Sequence, residues 1–141
     1  MPIGQKVFQI EWKSMGMTVK AVGPEGMTME MTANGEVTGF GPAKGLKGMA
    51  VITFQDIVGP GGITTGSGQG FMSFSGGETA VWKFMFAGKM KSPGVQAWMG
   101  PVTYMTMAKN LSWMNEMVFI TEGEGKSGSP EARDTVYEWV P

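Results

Sequence analysis

Between residues 66 and 70 glycine takes every second position, in Gly66-Ser67-Gly68-Gln69-Gly70, and the spacing recurs at Gly39/Gly41 and Gly123/Gly125. Two residues is the side-chain period of a β-strand, so each series strips one strand face of its side chains. Glycine weakens an ordinary strand and is kept where a sheet bends sharply or something packs against its backbone. Three such series in 141 residues predict a strongly coiled, closed sheet.

The rest of the chain reads as strands punctuated by turns. Residues 5–13 alternate Phe8, Ile10 and Trp12 with polar neighbours, the pattern of a half-buried strand. A second extended run reaches Val22, and Gly23-Pro24-Glu25-Gly26 is a turn. Met27, Met29 and Met31 share one face and Thr28, Glu30 and Thr32 the other, with a tight turn or bulge expected at Asn34-Gly35. Further strands are expected over 46–58, 63–74, 79–88, 95–107, 117–124 and 135–140. Gly100-Pro101 predicts a bulge, because proline cannot donate to a central ladder. Residues 108–114 break the rhythm and predict one or two helical turns. Near-regular strands with short turns and no long helix predict an all-β, antiparallel, about eight-stranded up-and-down β-barrel in a single domain over 1–141, with a sandwich as the competing arrangement.

Charge and the missing residue types narrow the chemistry. Eleven basic and twelve acidic residues give a net charge of −1, and Arg133 is the single arginine. Nucleic-acid binding relies on a basic stripe and forked arginine contacts, so no nucleic-acid partner is expected. Lys6, Glu11 and Lys13 interrupt the opening, so neither a secretory leader nor a membrane span is expected and the cytoplasm is the expected compartment. The chain has no histidine and no cysteine, which excludes Ser-His-Asp and Cys-His catalysis, CxxC redox chemistry and ordinary zinc sites. Acid–base work falls to carboxylates, lysine or tyrosine. No metal and no cofactor is expected.

Fifteen methionines are the compositional surplus. Met15/Met17, Met27/Met29/Met31 and Met105/Met107 lie two apart on single strand faces. Such stripes either fill the core or line a deformable pocket, since methionine adapts to irregular shapes. Trp82 is expected to pack over the 66–70 glycines, whereas Trp98 and Tyr104 either pack in the core, as large aromatics commonly do, or offer polar tips to a ligand. Lys83 and Asp56 sit among apolar neighbours on their strand faces; both are expected to face outward, because Lys and Asp are rarely buried unpaired, and either one turned inward would be a candidate acid, base or ligand anchor. Glu122 and Glu124 share a face and are read as a solvated strand end. Gly125-Lys126-Ser127 mimics the end of a P-loop, but Ile120 occupies the required glycine position and no helix follows.

The stretch from Glu36-Val37-Thr38-Gly39 through the 66–70 glycines to Ala80-Val81-Trp82-Lys83 is one part of a further pattern. Thr103-Tyr104-Met105-Thr106, Leu111-Ser112-Trp113-Met114-Asn115 and Val136-Tyr137-Glu138-Trp139 complete it. Together they resemble small uncharacterised glycine-rich barrel proteins, which in turn resemble the allene oxide cyclase and dirigent barrels. The resemblance covers about residues 36–140 and rests on strand rhythm and glycine placement. It implies an eight-stranded antiparallel barrel, oligomeric, with an apolar central cavity. It supplies no catalytic residue, because no catalytic motif matches position by position.

The expected function is therefore binding of a small apolar molecule within a barrel lined by Met29, Met31, Trp82, Trp98, Tyr104 and Met105. A cofactor-independent cyclase or isomerase for an unsaturated substrate is the alternative. A structural or assembly protein is the third reading, because strands 46–58 and 81–86 carry more apolar residues than one face needs, and a homo-oligomer is expected.

Overall fold

The computed structural model describes residues 3–141, with the side chain of Ser14 outside the description. Eight antiparallel strands follow one another around a closed barrel, β1 (Ile3–Gly23), β2 (Gly26–Gly39), β3 (Lys47–Val58), β4 (Thr64–Phe74), β5 (Thr79–Ser92), β6 (Val95–Met105), β7 (Val118–Lys126) and β8 (Ala132–Trp139). β8 returns to pair with β1, from Ile3↔Trp139 to Trp12↔Ala132, so the sheet has no edge over that length. The sandwich alternative is thereby excluded.

Closure draws on the bare faces. An added Cβ at Gly70 would lie 2.3 Å from the Trp82 indole, and one at Gly66 would lie 2.6 Å from the Phe86 ring. Gly123 stands in the same relation to the Trp98 indole, at 2.2 Å. Each glycine faces an aromatic on a hydrogen-bonded neighbour strand, as in Gly70↔Trp82, Gly66↔Phe86 and Trp98↔Gly123. The ring lies flat on the neighbouring backbone and fills the space a side chain would have taken. The expected packing of Trp82 is observed, and Phe86 and Trp98 repeat it.

One end of the barrel is plugged. The 3-10 helix Gly41–Ala43 buries Ala43, and the 3-10 helix Lys109–Glu116 buries Leu111 and Met114. The second helix supplies the helical turns expected over 108–114, as a 3-10 helix that runs two residues further. It is tied down where the Thr106 N–H donates to Asn115 Oδ1 at 2.8 Å and Asn115 Nδ2 donates back to the Thr106 carbonyl at 3.0 Å. Beneath the plug, Phe8 stacks on Phe74 with centroids 6.1 Å apart, and Tyr104 meets Phe119 edge-on at 5.1 Å. This half of the lumen is solid core.

At the other end the hairpins project freely. Beyond Trp12, β1 leaves β8 and continues to Gly23 hydrogen-bonded to β2. An extra residue between Trp12 and Ser14 shifts the register, which turns odd-numbered β1 residues to the lumen side as far as Val19, where a second shift before Ala21 reverses it. Met15, Met17 and Val19 then stand opposite Ala33, Met31 and Met29. Two expectations are corrected here. Asn34-Gly35 is neither a turn nor a bulge, because β2 runs straight through it and the extra residue lies on β1. Gly100-Pro101 keeps register with Thr121 and Ile120 on β7 and holds no bulge.

Gly70→Ala is expected to destabilise the barrel by about 1–3 kcal/mol through overpacking against Trp82. Gly16→Ala, with open space around the added carbon, should change stability by less than ~0.5 kcal/mol. Equilibrium urea denaturation of both variants checks the pair.

Candidate functional site

Two carboxylates enter the lumen side, and their surroundings differ. Asp134 on β8 alternates with outward Arg133 and Thr135, faces inward, and pairs across to Ile10 and Gly123. Its Oδ2 accepts from the Trp12 indole N–H at 2.7 Å, and its Oδ1 accepts from the Trp98 indole N–H at 2.7 Å and the Thr121 hydroxyl at 3.0 Å. Burial raises its pKa, and the three donors partly offset that rise. Each donor comes from a different strand, so Asp134 ties β1, β6 and β7 to β8 through the interior. This is a saturated structural knot.

Asp56 on β3 is the opposite case. It is 6 % exposed, and its Oδ1 is buried without a hydrogen-bond partner among the described residues. Its cross-strand neighbours are Met29 and Gly66, and Gly66 is covered by Phe86. Phe54, two residues earlier on the same face, packs edge-on against Phe86 at 5.6 Å and against Phe84 at 6.0 Å. Burial raises the Asp56 pKa and outweighs the lowering by its backbone hydrogen bond. A carboxyl oxygen left unpaired among phenyl rings and thioethers carries an uncompensated desolvation cost. The expectation that Asp56 faces outward is overturned, because β3 turns its even-numbered residues to the lumen. Lys83, at an odd position on β5, is exposed as expected.

The six expected lining residues separate into three places. Met29 and Met31 are half-buried on the lumen side, next to Asp56 and Phe54. Trp98 is half-buried there too, its N–H committed to Asp134. Trp82 and Tyr104 lie in the filled half, 6 % exposed each with centroids 5.8 Å apart; they pack in the interior and border the groove on the outer wall over β3–β6. Burial and the charge of Asp134 push the Tyr104 hydroxyl far above its usual range, so it stays protonated. Met105 faces outward at 65 % exposure and lies outside the lumen, because inward positions on β6 are even-numbered.

The site thus formed is the open mouth, with Asp56 near its rim opposite Met29, and Phe54, opposite Met31, one step deeper on β3; Phe84 and Phe86 pack against Phe54 from β5. The rings fill much of this half but stay half-exposed. Two depressions lie on the outer wall, about 710 Å³ over β5–β8 and about 570 Å³ over β3–β6. Among the described residues no three carboxylates converge as metal ligands, and no helix is long and apolar enough to cross a membrane. Sequence reasoning missed Asp134. Its signal was the alternation Ala132-Asp134-Val136, hidden because the strand was expected to start at Thr135.

The same isosteric change is expected to act oppositely at the two carboxyls. Asp134→Asn replaces an acceptor oxygen with a donor nitrogen, strands an indole or hydroxyl donor, and costs about 1–3 kcal/mol. Asp56→Asn removes a buried charge and should melt higher than the parent at pH 7. A folded pKa above the unfolded value of ~3.9 means the native state binds protons more tightly, so stability falls as pH rises through the folded value. The gap between Asp56→Asn and the parent should therefore close toward about pH 4, as thermal melts across pH will register.

Comparison with known proteins places the architecture. No family model and no curated protein matches the chain. Among solved structures, a protein of unknown function from Clostridium acetobutylicum superposes with a TM-score of 0.82 at 14% identity, covering 96% of this chain and 98% of that one. A conserved protein of unknown function from Rhodopseudomonas palustris gives 0.80 at 15% identity, covering 95% of each chain. A β-barrel-like protein from Acinetobacter baumannii gives 0.76 at 11% identity, covering 96% and 94%. A protein from Penicillium herquei described as an enzyme gives 0.65 at 12% identity, covering 98% and 96%. At these identities what is shared is the fold, a closed antiparallel barrel.

Proposed function

We propose that the open end of the barrel binds a small, largely apolar molecule that carries one hydrogen-bond donor. The unpartnered Asp56 oxygen, opposite Met29 and one step nearer the rim than Phe54 and Met31, supports this reading. A buried acceptor without a donor is a cost that a ligand's N–H or O–H removes on binding, while the apolar body covers Phe54, Phe84 and Phe86. The methionines on the hairpin wall have the rotational freedom to part and close over ligands of uneven shape. The filled lower lumen limits the occupant to a few rings or a short chain.

A second reading is that the barrel acts on its guest. Asp56, with its raised pKa in an apolar setting, suits proton transfer to an unsaturated substrate. The Penicillium herquei barrel described as an enzyme and the resemblance to allene oxide cyclases both fit that reading.

The test uses N-phenyl-1-naphthylamine, an apolar fluorophore with a single N–H donor. The parent protein should enhance its emission at micromolar concentration, and Asp56→Ala should weaken binding about tenfold, or ~1.4 kcal/mol. Met31→Glu, which places a charge in the mouth, should abolish the signal, whereas Met105→Gln should leave it unchanged. Absence of enhancement with the parent, or equal affinity in Asp56→Ala and Met31→Glu, would refute the site.

A further inference from the structure

The outer wall divides sharply by charge. On β3–β6 the outward positions form rows in register, and one row reads Val51, Phe71, Val81, Met105. These four are exposed by 45, 45, 40 and 65%. The next row toward the mouth is Thr53, Gln69, Lys83, Thr103. Among the described outward positions from 49–57, 65–73, 79–87 and 99–105, Lys83 alone is charged. Carboxylates resume on the flanking strands, at Glu30 and Glu36 on β2 and at Glu122 and Glu124 on β7. A charge-poor, methionine- and aromatic-bearing centre with a charged rim is the composition of an interface core. The wall is hollowed along this row, in the groove of about 570 Å³.

We propose that this face of β3–β6 is the interface of a homodimer, with a second copy of the chain as its occupant. The row is self-complementary. A twofold axis parallel to the strands, between β4 and β5, sets the row against its own reverse. Met105 then faces Val51 and Phe71 faces Val81, so each large side chain meets a valine. The same operation sets Lys83 over Gln69 and Thr103 over Thr53, polar against polar, and keeps the two copies of Lys83 apart. At the rim it sets Glu30 opposite Ile120 and Glu122 opposite Thr28, so no carboxylate meets its like. Aligned packing of two sheet faces is a common arrangement, and an isologous contact closes the assembly at two copies. Four strands at ~4.8 Å spacing and the length from residue 49 to 57 at ~3.4 Å per residue give roughly 500 Å² of barrel wall. Side chains enlarge that toward the ~800 Å² per partner of a standard interface.

The test is sedimentation equilibrium combined with charge exchange. The parent is expected to be a dimer at micromolar concentration. Phe71→Lys and Val81→Glu should each be monomeric with an unchanged circular dichroism spectrum. An equimolar mixture of the two should dimerise again, because one of its two Phe71–Val81 contacts becomes a lysine–glutamate pair and the other stays native. Should Phe71→Lys fail to fold, Met105→Glu, at the most exposed position of the row, carries the test with monomer expected. A monomeric parent at 0.1 mM, a dimer indifferent to these changes, or a monomer that floats with phosphatidylcholine vesicles would overturn the proposal.

Discussion

The barrel depends on aromatic rings lying against bare backbone. Where Gly70, Gly66 and Gly123 offer no side chain, the Trp82, Phe86 and Trp98 rings descend to the neighbouring strand. Dispersion falls off steeply with distance, so a ring in contact with backbone gains what a ring held off by a methyl group forfeits. The glycines serve a second purpose, since a strand without side chains on its concave face coils tightly enough for eight strands to close. Large rings and absent side chains are one device, and either alone would leave a void or a clash.

Closure produces two unlike halves. The plugged half is filled by hydrocarbon and by Tyr104, and Asp134 ties four strands together with both oxygens hydrogen-bonded. The open half holds a carboxyl that the fold leaves unsatisfied. Evolution of a purely structural core has an inexpensive alternative at such a position, an apolar residue of similar size. The contrast between one saturated carboxyl and one orphaned carboxyl, rather than the size of any cavity, directs attention to the mouth.

The register shift between Trp12 and Ser14 shapes the mouth. It exchanges the faces of β1, so that the projecting hairpin turns Met15, Met17 and Val19 to the lumen side along with Met27, Met29 and Met31. Polar Thr28, Glu30 and Thr32 look outward. Without the extra residue, the wall of the mouth would carry thioethers on one strand only. The same parity rule on β3–β6 sends a second apolar set outward, which leaves a central wall with Lys83 as its one charge on an otherwise mixed-charge surface.

Much of this was readable in advance because it is local. Glycine spacing, strand alternation and the break at 108–114 report backbone period, which neighbours in sequence determine, and from them came the eight strands, the closed sheet and the place of Trp82. The faces of Met29 and Met31 were equally readable. Which face was the inner one was not, since parity is identical for both sides of a strand, and Met105 and Asp56 were for that reason assigned to the wrong sides. The pairing of Asp134 with Trp12 and Trp98 spans 122 and 36 residues, and no local pattern carries it. Composition by itself excluded whole chemistries. Only the closed sheet, by choosing an inside, decided which carboxyl would be satisfied, which would be left alone, and which methionines would meet solvent.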